Sequence, residues 1–190
     1  MNIQQKMPAT AEEFLVWNEG REGKREFVSG KVVEQMMINV TRNHGALAVR
    51  LAGQLLNQLP FDEFIVTSAD FAVRTADGIR YPDAMVEKTG GDGKALASSE
   101  PLLLAEVLSA SSMADDFGKK AIEYFLIPTL RHYLVLSQDE VSVWLWTRKG
   151  QDWQGPDLCR DVAEPVFLAA IAVTLDLKAL YSGIAPAARN

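Results

Sequence analysis

The run Leu102-Leu103-Leu104-Ala105-Glu106-Val107-Leu108 constrains this chain more than any other segment. Opened by Pro101, it is continuous and apolar over the length of a strand, which predicts a central strand covered on both faces. A single carboxylate interrupts it. Burying Glu106 unpaired would be costly, because desolvation disfavours the ionised form. The remedies are a cationic partner, or a metal ion shared with a second carboxylate. Asp83 lies 23 residues earlier, after Arg80-Tyr81-Pro82, and opens the predicted strand Asp83 to Glu87. If the two strands are neighbours, both side chains point into one pocket. Two carboxylates, a backbone carbonyl and waters would there suit Mg²⁺ or Mn²⁺.

Asp116, Lys120 and Tyr124 follow at spacings of four and share one face of a helix predicted from Asp115 or Asp116 to about Leu126. A lysine brought back over the Glu106 strand would orient a water or stabilise charge on a phosphate. Blander readings stand beside these. Asp116 and Lys120 also form an ordinary exposed i,i+4 pair, and Asp83 is also a turn residue after Pro82.

The remaining chain predicts a mixed α/β domain. Thr10 and Glu13 have capping-box spacing before a short helix from about Ala11 to Glu19. Arg25 to Val28 and Lys31 to Ile38 flank Ser29-Gly30 as a hairpin. Leu47, Leu51, Leu55 and Leu59 mark an amphipathic helix from about Arg42, capped by Thr41 and stopped by Pro60. Phe64 to Thr67 and Asp70 to Arg74 read as one bent strand or two short ones, and Thr89 to Ser99 as a surface loop. His132 to Leu136 and Val141 to Trp146 form a second hairpin, followed by a weaker strand near Trp153. Val166 to about Asp176 reads as a strand and is followed by a short helix through Tyr181.

With 190 residues, 48 % apolar and 23 % charged, the chain is large enough for one cored domain and too apolar for disorder. One cysteine, Cys159, rules out an intrachain disulfide and a cysteine-based zinc site. The first seven residues carry one lysine and no apolar run, so no secretory signal is expected, and a reduced, cytoplasmic protein is the working picture. Nineteen Lys+Arg against 25 Asp+Glu give a net charge of −6, which argues against tight non-specific nucleic-acid binding.

Glu26-Phe27-Val28-Ser29-Gly30-Lys31-Val32-Val33, His44 at the start of the leucine-rich helix, Pro82-Asp83, Glu106-Val107-Leu108-Ser109 and Asp116-x3-Lys120-x3-Tyr124 occur in that order. From about Thr10 to Tyr181 this pattern resembles the Uma2-like family, a domain of unknown function with the PD-(D/E)xK restriction-endonuclease-like fold. The resemblance implies a single restriction-endonuclease-like domain, a mixed β-sheet flanked by helices. Asp83 and Glu106 would be the metal-binding carboxylates, with Val107 offering its backbone carbonyl. The usual motif lysine, two residues after the acid, is Leu108 here, and the family pattern moves that role to Lys120 on the following helix. Glu26 would add a metal or water contact, and His44 would face the same pocket, with Asp116 and Tyr124 as auxiliaries. Ala110, Leu134 and Ser137 depart from the family's usual proline, tryptophan and aspartate.

Three functions are consistent with these residues. The first is a Mg²⁺- or Mn²⁺-dependent nuclease hydrolysing phosphodiester bonds in DNA. The second is an inactive nucleic-acid- or protein-binding module on the same scaffold, in which Glu106 pairs with Lys120 and excludes metal. The third is an oligomeric enzyme acting on a small phosphorylated substrate. A homodimer or higher oligomer would bury the hairpin that carries Trp144 and Trp146.

Overall fold

In a computed structural model, residues 6–34, 40–108 and 113–184 are described. Helix α1 (Ala11–Asn18) is capped by Thr10, whose hydroxyl accepts from the Glu13 amide at 3.1 Å. Strands β1 (Arg25–Val28) and β2 (Lys31–Glu34) pair antiparallel around Ser29 and Gly30, whose φ angles of 49° and 76° form the turn that suits a twisted two-residue hairpin. The end of the expected second strand, Gln35 to Ile38, lies outside the described residues. Helix α2 (Arg42–Gln58) begins at its Thr41 cap and ends before Pro60.

The strands β3 (Phe64–Ser68), β4 (Ala72–Arg74), β5 (Gly78–Arg80), β6 (Ala84–Lys88), β7 (Ala97–Ser98) and β8 (Pro101–Leu108) follow. After β8 come helices α3 (Met113–Phe117) and α4 (Lys119–Phe125). The strands β9 (His132–Ser137), β10 (Val143–Lys149), β11 (Asp152–Cys159), β12 (Val166–Leu168) and β13 (Val173–Leu175) lead to helix α5 (Leu177–Tyr181). A six-stranded sheet has the order β11-β10-β9-β8-β6-β3, and a five-stranded sheet the order β2-β1-β5-β4-β7. β12 and β13 form a separate antiparallel pair.

β8 is buried along nearly its whole length, as its apolar character requires. Its alternate residues face two cores. Leu103, Ala105 and Val107 pack with Leu47, Leu51 and Leu55 of α2, while Leu104 and Leu108 join Tyr124 of α4 and Tyr133 of β9. Glu106 shares the parity of this second face. β8 and β9 are parallel neighbours, so the chain must cross over between them, and α3 and α4 provide that crossover. The crossover therefore lays Lys120 and Tyr124 over the strand that carries Glu106.

Several expectations change in the structure. Phe64 to Arg74 is two strands, and β3 and β4 enter different sheets. The segment Thr89 to Ser99 contains the short strand β7, which pairs parallel to β4. The helix expected from Asp115 or Asp116 begins earlier and is interrupted at Gly118, whose φ/ψ of −106°/−107° is non-helical. Val166 to Asp176 folds back on itself through a 3₁₀ turn, with Ala172 at φ 53°, and forms two strands instead of one. Trp144 and Trp146 pack inward: Phe117 meets both rings edge-on, at 5.0 and 5.6 Å, and Tyr133 stacks on Trp146 at 5.3 Å. Trp146 is buried by these contacts and Trp144 half-buried.

Gly78 is required by close approach. A Cβ there would lie 1.7 Å from the Phe27 carbonyl oxygen, because β1 pairs with β5 at Val28 and Gly78. His132 is structural. Its Nε2 accepts from the Ala170 amide at 3.0 Å, which leaves the proton on Nδ1, 3.3 Å from the Thr147 hydroxyl.

Leu51, on the core-facing side of α2, is fully buried, and Leu51→Ala is expected to cost about 2–5 kcal/mol in equilibrium urea unfolding. Burial pushes the His132 imidazole down to about 4 from its ordinary 6.5. The folded protein then binds this proton less readily than the unfolded chain, so stability from this residue is lost as pH falls from about 6.5 toward 4. Proton NMR should show the His132 ring titrating near 4.

Candidate active site

The register of β6 against β8 pairs Ala84 with Ala105 and Met85 with Leu104, and its continuation sets Asp83 across from Glu106. Their side chains leave on the same face of the sheet. Both are buried, and both line a cavity of about 60 Å³, room for a few water-sized occupants. Glu26, His44, Val107, Asp116 and Lys120 line it too. The structure thus gathers seven of the eight residues expected to hold or assist a metal around this cavity, and the eighth, Tyr124, reaches Glu106 through its hydroxyl.

Asp83 is fixed by two donors. Its Oδ2 accepts from the Val107 amide at 2.8 Å and lies 3.3 Å from His44 Nε2. His44 is placed by the first turn of α2, where the Thr41 hydroxyl accepts from the His44 amide at 3.1 Å. Burial pushes the Asp83 carboxyl up, but His44, the Val107 amide and the Lys24 charge outweigh it and hold the group below its ordinary value. Asp83 is therefore ionised at neutral pH.

Glu106 has the opposite balance. Its Oε1 accepts from the Tyr124 hydroxyl at 2.8 Å and lies 3.3 Å from Lys120 Nζ. Lys120 is shared, because its Nζ is only 2.7 Å from Asp116 Oδ1. Burial pushes the Glu106 carboxyl up to about 8; Lys120 opposes this, while Asp116, Asp83 and Glu26 reinforce it. Burial works against the Lys120 charge too, yet Glu106 and Asp116 hold its pKa above the ordinary lysine value. Burial likewise carries the Tyr124 hydroxyl well above its ordinary range, so it remains a donor to Glu106. Asp116 and Lys120 are both buried, so the exposed i,i+4 reading of this pair does not hold.

The sequence reading missed Arg80. Buried at the end of β5, it forms a bidentate pair with Glu123 of α4, at 2.8 and 2.9 Å. It also reaches Glu26 of β1 at 2.8 Å and Asp115 of α3 at 3.2 Å. Burial opposes its charge, but Glu123 and Glu26 outweigh this and raise its pKa above that of an ordinary arginine. This cation ties the five-stranded sheet to the crossover helices at the segment that delivers Asp83, three residues on. Glu26 is thereby engaged by Arg80 on Oε2, with Oε1 3.4 Å from the Tyr81 amide. The only signal in the sequence was an arginine just before Tyr81-Pro82-Asp83.

The donor set fits a hard divalent cation. Among the described residues, no hydrogen bond is made to Asp83 Oδ1 or Glu106 Oε2, and burial favours the protonated form of Glu106 because its cationic partner is shared. No group of three or more His, Cys, Asp or Glu side chains among the described residues forms a preformed metal cage. Mg²⁺ commonly binds through one or two carboxylates, with waters and substrate phosphate completing its shell.

Comparison with known proteins agrees with this architecture. A mixed-sheet domain of the same fold occurs in a crystal structure titled "a putative nuclease belonging to DUF820" from Anabaena variabilis ATCC 29413. That chain superposes with a TM-score of 0.73 at 19 % identity, covering 92 % of this chain and 98 % of the other. The Uma2 family model, described as "Putative restriction endonuclease", matches residues 11–177, and the chain belongs to that family. Two Synechocystis proteins are related along most of their length. "Uncharacterized protein slr1290" is 28 % identical over 177 residues, covering 92 % of each chain. "Uncharacterized protein sll1609" is 29 % identical over 164 residues, covering 83 % of this chain and 92 % of the relative. No helix among the described residues is long and apolar enough to cross a membrane.

Arg80→Met would leave Glu26 and Glu123 buried without their cation. It should cost about 3–5 kcal/mol in chemical unfolding, with part recovered when Glu123→Gln is added. Glu106 binds its proton more tightly when folded, so the stability it contributes is present below about 4.5 and lost as pH rises through about 8. Unfolding curves measured across that window should be flatter for Glu106→Gln than for the unaltered chain.

Proposed function

We propose that this chain is a Mg²⁺- or Mn²⁺-dependent nuclease that hydrolyses phosphodiester bonds in DNA, with a PD-(D/E)xK-type site. The observation that carries the reading is the meeting of Asp83, Glu106 and Lys120 at one buried cavity, in a chain of the Uma2 family. Asp83 and Glu106 would hold the cation, with the Val107 carbonyl as a further oxygen donor. When bound, the cation supplies Lewis-acid activation of water and of phosphoryl oxygens. His44 and the Val107 amide keep Asp83 ionised and oriented. Tyr124 holds Glu106 by Oε1, so Oε2 would be the oxygen offered to the cation. Lys120 carries a permanent positive charge beside Glu106, suited to charge developing on a phosphate in the transition state.

One observation favours a second reading, a non-catalytic binding module. Lys120 already pairs with Glu106, and the cavity is small. Against it, Lys120 lies closer to Asp116 than to Glu106, so Glu106 is only half satisfied. Mn²⁺ titration by calorimetry, followed by incubation with supercoiled and linear DNA in Mg²⁺ or Mn²⁺, separates the readings. Cleavage should require the cation and fall at least about a hundredfold in Asp83→Asn, the scale for losing one preorganised electrostatic group. Folded protein that neither binds Mn²⁺ nor cuts any nucleic acid would leave the binding module.

A further inference from the structure

A second, larger cavity adjoins the candidate active site. It has a volume of about 560 Å³, within the range of small-molecule sites, and lies where the connection from α1 to β1 faces the turn at Ala69 and Asp70. Lys24 and Tyr81 line both this cleft and the cavity that holds Asp83 and Glu106, so the two spaces share a wall. Leu15, Leu96 and Tyr81 supply apolar surface, while Arg21, Lys24 and Arg25 bring three cations against the acids Glu19 and Asp70. That local excess is notable in a chain whose net charge is −6.

The cations are not equivalent. Arg21 lies over the Trp17 ring at 4.1 Å and donates to the Trp17 carbonyl at 2.5 Å, and Arg25 is 3.3 Å from Glu34. Both are held in place as part of the wall. Lys24 is exposed and, among the described residues, makes no ion pair or hydrogen bond, yet its charge is felt at Asp83. An exposed ammonium at the mouth of an acidic site, beside a cleft with an apolar floor and a cationic rim, matches one nucleotide of a nucleic-acid strand. Phosphate would meet Lys24, and the base would meet Leu15, Leu96 and the Tyr81 ring.

We propose that this cleft is the subsite for the nucleotide adjoining the scissile phosphate, with Lys24 as its phosphate-contacting cation. The assignment rests on the nuclease reading of the neighbouring cavity. Fluorescence anisotropy with a labelled single-stranded DNA oligonucleotide, in EDTA to prevent cutting, tests it separately from catalysis. Lys24→Glu should weaken binding about tenfold and lower the slope of log Kd against log salt by about one, the signature of one lost phosphate contact. Leu96→Trp, which fills the cleft without changing charge, should weaken binding and leave the slope unaltered. Lys178→Glu, the same charge change on α5, should do neither. Wild-type affinity in either Lys24→Glu or Leu96→Trp would overturn the subsite. If wild-type protein still cleaves DNA in an Asp83-dependent way, that result removes only the cleft. If no oligonucleotide is bound or cut by the wild type, the nuclease reading and the subsite fall together.

Discussion

The buried carboxylate of Glu106 is the constraint around which the site is organised. β8 must be apolar on both faces because helices and strands cover both, and a charge inside it is tolerated only with dedicated partners. Tyr124 and Lys120 are those partners, and both come from the crossover that joins β8 to its parallel neighbour β9. The topology that requires a crossover also brings the compensating groups to the strand. Compensation is incomplete because Lys120 serves Asp116 as well. In the proposed nuclease, a bound divalent cation would supply the positive charge that Lys120 divides between two carboxylates.

Arg80 gives the site its rigidity. One guanidinium satisfies carboxylates from β1, α3 and α4 at once. Its planar fork suits the bidentate contact to Glu123, which a lysine could not reproduce. Since Arg80 ends β5 and Asp83 follows after Tyr81 and Pro82, fixing the arginine fixes the entry of the chain into β6. Buried ion networks of this kind add little net stability by themselves, because desolvation offsets attraction. Their value here is positional: one guanidinium holds Glu26 and Glu123, from different elements, at a fixed place beside the site.

Much of this was legible along the chain. Glu106 stood out as a carboxylate in an apolar strand, and Asp116, Lys120 and Tyr124 by their shared helical spacing. Thr10 and Thr41 announced helix starts that the structure retains. The failures share a cause. Whether Phe64 to Arg74 stays in one sheet depends on partners distant in sequence, as does the fold-back of Val166 to Leu175. Lys24 and Arg80 carried no local pattern, since an isolated lysine or arginine looks like any solvated cation until its neighbours are known.

By itself the sequence determined which segments could be strands or helices, and that one acid had to be buried. Those properties follow from periodicity, capping and desolvation, which act over a few residues. Tertiary structure alone decided that Asp83 lies across from Glu106, that Arg80 unites three carboxylates, and that Lys24 stands between two cavities. Each of these depends on strand register and on the crossover path, where contacts between residues far apart in the chain select one arrangement among many with the same local preferences.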